Sequence, residues 1–143
     1  MKEQWVMTLR SIQREEKDQS DTTLDTEVLY TTEENGDRVI VYEESETTGM
    51  DGSRTELRVS PDGMVSILRT GTYETHLVVQ KGVKHFCHYD TPFGGFTVGV
   101  SARYVHSTLT DEGGDLEMRY TVDANSTLLS DNEILLHLEK ICI

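Results

Sequence analysis

The nearest approach to a metal-binding or nucleophilic cluster in this sequence is formed by His85, Cys87, His88 and Asp90. Imidazole, thiolate and carboxylate groups are the usual protein ligands of zinc and other transition metals. In a strand, however, His85 and Cys87 face one side while His88 and Asp90 face the other, so neither pair completes a site. The same geometry prevents Cys87 and His88 from forming a catalytic dyad. We therefore expect no bound metal, no cofactor and no enzymatic activity.

A second set of polar residues falls on strand faces that are otherwise apolar. Arg69 follows Val65 and Ile67 in one alternating pattern, and Glu43 follows Val41 in another. A buried arginine needs either a carboxylate of the protein or an anion of a ligand as its partner. Glu43 is therefore the expected partner of Arg69, and a ligand carboxylate is the functional alternative. Outward-turned charges at strand ends are the simpler alternative to both.

The residues expected to bind a ligand divide into a polar group and an apolar wall. The polar group would orient the ligand, and the wall would contact its apolar part, unless these side chains fill the interior and leave no room. The tyrosines among them could equally be core residues with satisfied hydroxyls. The expected polar group is Arg69, Glu43, Tyr42 and Tyr89, and the expected wall is Phe96, Val98, Val100, Met118 and Tyr120.

The element that must position much of this wall runs from His88 to Tyr104. Its first half, with Pro92 and Gly94-Gly95, has the composition of a turn. Its second half alternates strictly, which is the period-2 signature of a strand with one face in a core. The residues predicted to share that face are Phe96, Val98, Val100, Ala102 and Tyr104.

The same alternation recurs along the chain between short turn signals, of which Asn35-Gly36 is the clearest hairpin turn. We count about eight to ten strands and no clear helix, which predicts a single all-β domain over residues 1–143. Consecutive hairpins favour a closed up-and-down barrel of antiparallel strands. The segment from Asn132 to Ile143 fits either a helix or a strand; we favour the strand, because the sheet needs its edge closed.

Composition limits the partners of the protein. The chain has 143 residues and a net charge of -13, with no clustered basic residues, which disfavours nucleic acid and anionic membranes as partners. The first residues form no apolar leader and no stretch is long enough to span a bilayer as a helix. Cys87 and Cys142 form no disulfide framework, so we expect reduced thiols in a cytoplasmic protein.

Several short motifs, in this order and spacing, resemble the YwiB-like family of small bacterial proteins of unknown function. The resemblance extends from Trp5 to Leu138. It implies a lipocalin-like, calycin-type barrel in a cytosolic protein, chiefly from Gram-positive bacteria, and it supplies no catalytic residues. The motifs are Tyr42-Glu43-Glu44-Ser45, Thr55-Glu56-Leu57, Arg69-Thr70-Gly71, Tyr89-Asp90-Thr91-Pro92-Phe93-Gly94 and Leu116-Glu117-Met118-Arg119-Tyr120.

Two functions remain open at the level of sequence. The first is a non-catalytic barrel that binds a small, partly apolar molecule in its interior. The second is a protein–protein interaction or homodimerising module with a filled barrel, for which Trp5, Phe93 and Phe96 are candidate contacts. A continuous internal void above roughly 300 Å³ would favour the first, and a filled core with an exposed apolar patch would favour the second.

Overall fold

The computed structural model describes residues 3–44, 52–72, 74–91 and 93–142, and its ten strands form one closed antiparallel barrel. Each strand pairs with its neighbours in sequence, and β1 pairs with β10 to close the ring, so the predicted up-and-down barrel is confirmed. The strands are β1 (Glu3–Arg14), β2 (Gln19–Thr32), β3 (Arg38–Glu43), β4 (Arg54–Val59), β5 (Val65–Thr70), β6 (Thr75–Val79), β7 (Lys84–Thr91), β8 (Gly94–Ser107), β9 (Gly113–Ala124) and β10 (Thr127–Cys142).

The last segment is a strand, as the edge-closure argument predicts. β10 pairs with β1 along its length, from Asp131 opposite Arg14 to Cys142 opposite Glu3. It follows β9 through a two-residue turn in which Asn125 and Ser126 both have positive φ, the geometry of a type I′ hairpin. The residues Ser130-Asp131-Asn132-Glu133 resemble a helix capping box. They nevertheless lie within β10, because pairing with β1 and β9 outweighs the local preference for a helix cap.

One end of the barrel is filled by side chains. We call it the closed end; it carries the connections β2–β3, β4–β5, β6–β7 and β8–β9. Trp5 packs there edge-on against Tyr30, with ring centroids 4.8 Å apart, and the Tyr30 hydroxyl donates to the Thr110 carbonyl at 2.8 Å. Trp5 is buried, so its expected role as an exposed contact is wrong. The fully buried side chains of the core include Met7, Ile40, Val65, Val79, Leu116, Met118 and Leu138.

A β-bulge interrupts the alternation predicted for β8. Ala102 pairs with Tyr120, but the next pair is Tyr104 with Arg119, so Arg103 is the extra residue. Beyond the bulge the faces exchange: Tyr104 is exposed, and Val105 packs against the core in its place. The prediction that Tyr104 shares the inner face of Val98 and Ala102 is therefore wrong.

Several features named from the sequence lie outside the described residues: Ser45 and Pro92 of the family motifs, the side chain of Cys142, and Ile143. Among the residues described, no helix is long and apolar enough to cross a membrane.

Candidate functional site

The end of the barrel opposite the closed end contains a cavity of about 350 Å³. It lies at the end that carries the β1–β2, β5–β6, β7–β8 and β9–β10 connections. Its lining includes the exposed residues Glu15, Ser20 and Leu129, so the cavity opens to solvent between the β1–β2 connection and the β9–β10 connection. The full lining is Leu9, Ser11, Gln13, Glu15, Ser20, Thr22, Tyr42, Glu44, Leu57, Ile67, Arg69, Leu77, Tyr89, Val98, Met118, Tyr120, Val122, Leu129, Ser130, Asn132 and Ile134.

Arg69 enters this cavity from the C-terminal end of β5, in register with buried Ile67, as the alternation predicts. Its nearest described carboxylate is that of Glu44, with Arg69 Nε 3.6 Å from Glu44 Oε1. That distance allows an ion pair but not a hydrogen bond, and Nε is buried without a hydrogen-bond partner among the described residues. The same Glu44 oxygen accepts a 2.6 Å hydrogen bond from the hydroxyl of Thr55.

The tyrosines expected beside Arg69 line the cavity: Tyr42, Tyr89 and Tyr120. Burial raises the pKa of Tyr120 to about 12, while the charge of Arg69 lowers it and Tyr89 raises it. Burial also raises the pKa of Tyr42, reinforced by the negative charge of Glu44 and opposed by Arg69. Both phenols therefore stay protonated at neutral pH and can donate hydrogen bonds.

The apolar part of the wall agrees in part with the prediction from the sequence. Met118 and Val98 are buried and line the cavity, whereas Val100, which is also buried, does not line it. The remaining apolar lining comes from strands all around the ring, including Leu57 on β4 and Val122 on β9. The wall therefore offers apolar surface next to the arginine and the phenols.

Two predicted ligand-binding residues lie elsewhere. Glu43 is on the outer face of β3 and exposed, because the strand places Tyr42 and Glu44 inside. Phe96 is 50% exposed at the beginning of β8, where the strand extends past the end of the core, although it shares the parity of Val98. Neither contributes to the cavity lining.

Sequence reasoning also missed several residues of the cavity. Besides Glu44, these include Glu15, several apolar residues, and the neutral polar residues Gln13, Ser130 and Asn132. Asn132 and Ser130 alternate in step with the apolar residues Ile134, Leu136 and Leu138. In a strand over this segment, the alternation therefore predicts that both polar side chains face the interior of the barrel. Asn132 Nδ2 donates to Ser130 Oγ at 3.0 Å, and Gln13 Nε2 donates to Glu15 Oε1 at 2.9 Å.

The residues considered for metal binding are distributed over both faces of β7. His88 pairs with Asp90 at 2.7 Å on the surface, and a ring nitrogen of His85 bonds to Gln80 at 2.9 Å. Cys87 is buried in the core, where its sulfur accepts a hydrogen bond from the Val78 N–H at 3.3 Å. Burial raises the pKa of the Cys87 thiol, which makes it a poor nucleophile at neutral pH.

Comparison with known proteins gives the chain a family and a fold. The crystal structure of YwiB protein from Bacillus subtilis matches with a TM-score of 0.76 at 20% identity, covering 94% of this chain and 92% of that one. At that identity the likeness supports the shared fold alone. A search of curated proteins found no significant match. The model of a family described as "Domain of unknown function (DUF1934)" matches residues 7–136, and this chain belongs to that family.

Proposed function

We propose that this protein binds a small, partly apolar molecule in its barrel cavity without catalysing a reaction, in the manner of a lipocalin. The observation that carries the proposal is the cavity of about 350 Å³, which joins an apolar wall to one incompletely paired arginine. We include in the proposal the expectation of a bacterial cytoplasmic protein, for which the Bacillus subtilis neighbour supports the bacterial origin.

The size and lining of the cavity support a ligand. Ligand pockets begin at roughly 300 Å³, and the cavity, at about 350 Å³, is above that limit. At ~30 Å³ each it would hold about a dozen water molecules when empty. Releasing water from the apolar surface of Leu57, Ile67 and Met118 would favour an apolar ligand. Arg69 and the phenols would fix the orientation of its polar end.

Native mass spectrometry of the purified protein, compared with its denatured mass, tests the proposal. We expect a native monomer heavier by a discrete ligand mass, and we expect Ile67→Phe, which reduces the cavity volume, to lower the ligand occupancy. Leu68→Phe is the matched control, because Leu68 is the next residue on β5 and does not line the cavity. Equal occupancy in the two variants would contradict binding in the cavity.

A second function, association through the barrel surface, has one observation in its favour. All three phenylalanines of the chain lie on β7, β8 and the turn between them, and Phe86, Phe93 and Phe96 are 75%, 93% and 50% exposed. Exposed aromatic residues grouped in this way are common at protein interfaces. The same spectra test this function: a bare dimer that becomes monomeric with Phe86→Ser and Phe93→Ser would favour it over ligand binding.

A further inference from the structure

The distribution of charge within the cavity narrows the class of ligand. We infer that the cavity takes a monoanion, a carboxylate at one end of an apolar body whose other end carries a neutral hydroxyl or amide group. This inference rests on the proposed function, since it describes the ligand of the same site.

The position of Arg69 determines which end of the cavity is cationic and would therefore bind the carboxylate of the ligand. Among the described residues that line the cavity, Arg69 is the one lysine, arginine or histidine. Its side chain is 20% exposed, whereas that of its partner Glu44 is only 2% exposed, so the guanidinium is the more accessible member of the pair. The Nε of Arg69 has no hydrogen-bond partner among the described residues. A guanidinium beside an apolar wall favours a carboxylate, which can accept two parallel N–H hydrogen bonds.

The other residues that line the cavity limit the number of negative charges on the ligand. The carboxylates of Glu44 and Glu15 also line the cavity, and they would repel a second negative charge on the ligand. The protonated phenol of Tyr120 can donate to the bound carboxylate without adding charge. One anionic group at Arg69 is therefore favoured over two.

The order of the strands around the barrel determines which residues would contact the far end of the ligand. Four strands separate β5 from β10 in either direction, so β10 stands across the barrel from Arg69. The cavity lining on β10 and the adjacent β1 includes Ser11, Ser130 and Asn132, which are neutral donors and acceptors. Between the two polar sides lie apolar residues such as Met118 and Val122 on β9. This order of surfaces matches an anion, an apolar body and a neutral polar end.

Isothermal titration calorimetry with four ten-carbon probes tests the inference: decanoate, decanol, decylamine and decanoate hydroxylated at its far end. We expect decanoate to bind at least about tenfold more tightly than decanol, as one charge-assisted hydrogen bond would give. Decylamine should bind most weakly, and the terminal hydroxyl should tighten decanoate binding. Arg69→Met should abolish the preference for decanoate over decanol, and Asn132→Leu should abolish the gain from the hydroxyl.

The possible results of the titrations test the class of ligand separately from the proposed function of ligand binding in the cavity. Decanol binding as tightly as decanoate, with Ile67→Phe weakening both, would overturn the monoanion and leave cavity binding intact. Hydroxylated decanoate binding no better than decanoate would overturn the neutral polar end. Failure of all four probes to bind, together with no retained ligand by native mass spectrometry, would overturn both proposals. Thermal denaturation of Arg69→Met and Asn132→Leu checks that each variant is folded at the titration temperature.

Discussion

Glu44, and not its neighbour Glu43, is the carboxylate that faces Arg69 inside the barrel, with 3.6 Å between Glu44 Oε1 and Arg69 Nε. The two glutamates follow each other on the chain, yet Glu44 is nearly fully buried and Glu43 is exposed. Burial of Glu44 is tolerable because the Thr55 hydroxyl and the guanidinium both compensate its charge. The pair therefore belongs to the structure of the cavity wall as well as to its electrostatics.

Neutralising Glu44 should destabilise the protein, and neutralising Glu43 should not. Glu44→Gln retains an oxygen that can accept from Thr55 but leaves the charge of Arg69 without its partner, at a cost of about 1–3 kcal/mol. Glu43→Gln, the matched control on the outer face, should stay within about 0.5 kcal/mol of the wild type. Unfolding in urea measures both free energies. Equal losses in the two variants would mean that the ion pair contributes nothing to stability.

The prediction of Glu43 as the partner of Arg69 is wrong for a physical reason. In β3, Val39 and Ile40 are both buried although they face opposite sides of the sheet, and Val41 continues the apolar run. Alternation assigns an inner face only where the other face is polar. The sequence therefore locates β3 but does not determine which of its faces is the inner one, and the pattern predicts both Tyr42 and Glu43 to be inside.

Other parts of the fold were predictable because local signals agree with the pairing. The sequence of β9 alternates strictly between apolar and polar residues, and its apolar residues Leu116, Met118, Tyr120 and Val122 are all buried. The turn at Asn35-Gly36 is present, with positive φ at Gly36. The cavity was not predictable, since the same side chains could fill the barrel or leave room. That outcome depends on the diameter and shape of the ring, which no short pattern encodes.

The bulge at Arg103 determines whether Tyr104 or Val105 faces the core, and unbroken alternation would predict the opposite choice. Tyr104→Lys should change stability by less than about 1 kcal/mol, because Tyr104 is exposed. Val105→Lys should cost more than about 2 kcal/mol, because Val105 packs against the core. Without the bulge the order would be reversed, so thermal denaturation of the two variants distinguishes the two registers.

The pairing of β9 with β10 should depend on Gly113. This residue has φ of +103°, and a Cβ added to it would collide with the carbonyl oxygen of Leu138. Gly63 is a matched control, with φ of +91° and nothing within 4 Å of an added Cβ.

Gly63→Ala should therefore cost about 1 kcal/mol through backbone strain alone, and Gly113→Ala a further ~1–3 kcal/mol through the collision. Chemical denaturation of the two variants gives the difference. Equal losses would show that β9 can move away from Leu138 at no cost.

The stability of the protein should depend on pH through His137 on the outer face of β10. Its Nδ1 lies 2.7 Å from Asp115 Oδ1 and its Nε2 lies 3.0 Å from Glu139 Oε1. The hydrogen bond with Asp115, and next that with Glu139, raise the pKa of His137 above its usual 6.5. The folded state therefore binds the proton more tightly than the unfolded state does.

A raised pKa contributes stability that is fully present below the unfolded value of about 6.5 and is lost as the pH rises through the folded value. The contribution should be small, because the imidazole is 49% exposed and solvent screens both pairs. We expect the wild type to exceed His137→Gln in stability by more at about pH 5.5 than at about pH 8.5, where the imidazole is neutral. An NMR titration of the His137 ring locates the pKa directly, and a value at or below 6.5 would contradict both the charge pairing and the predicted slope.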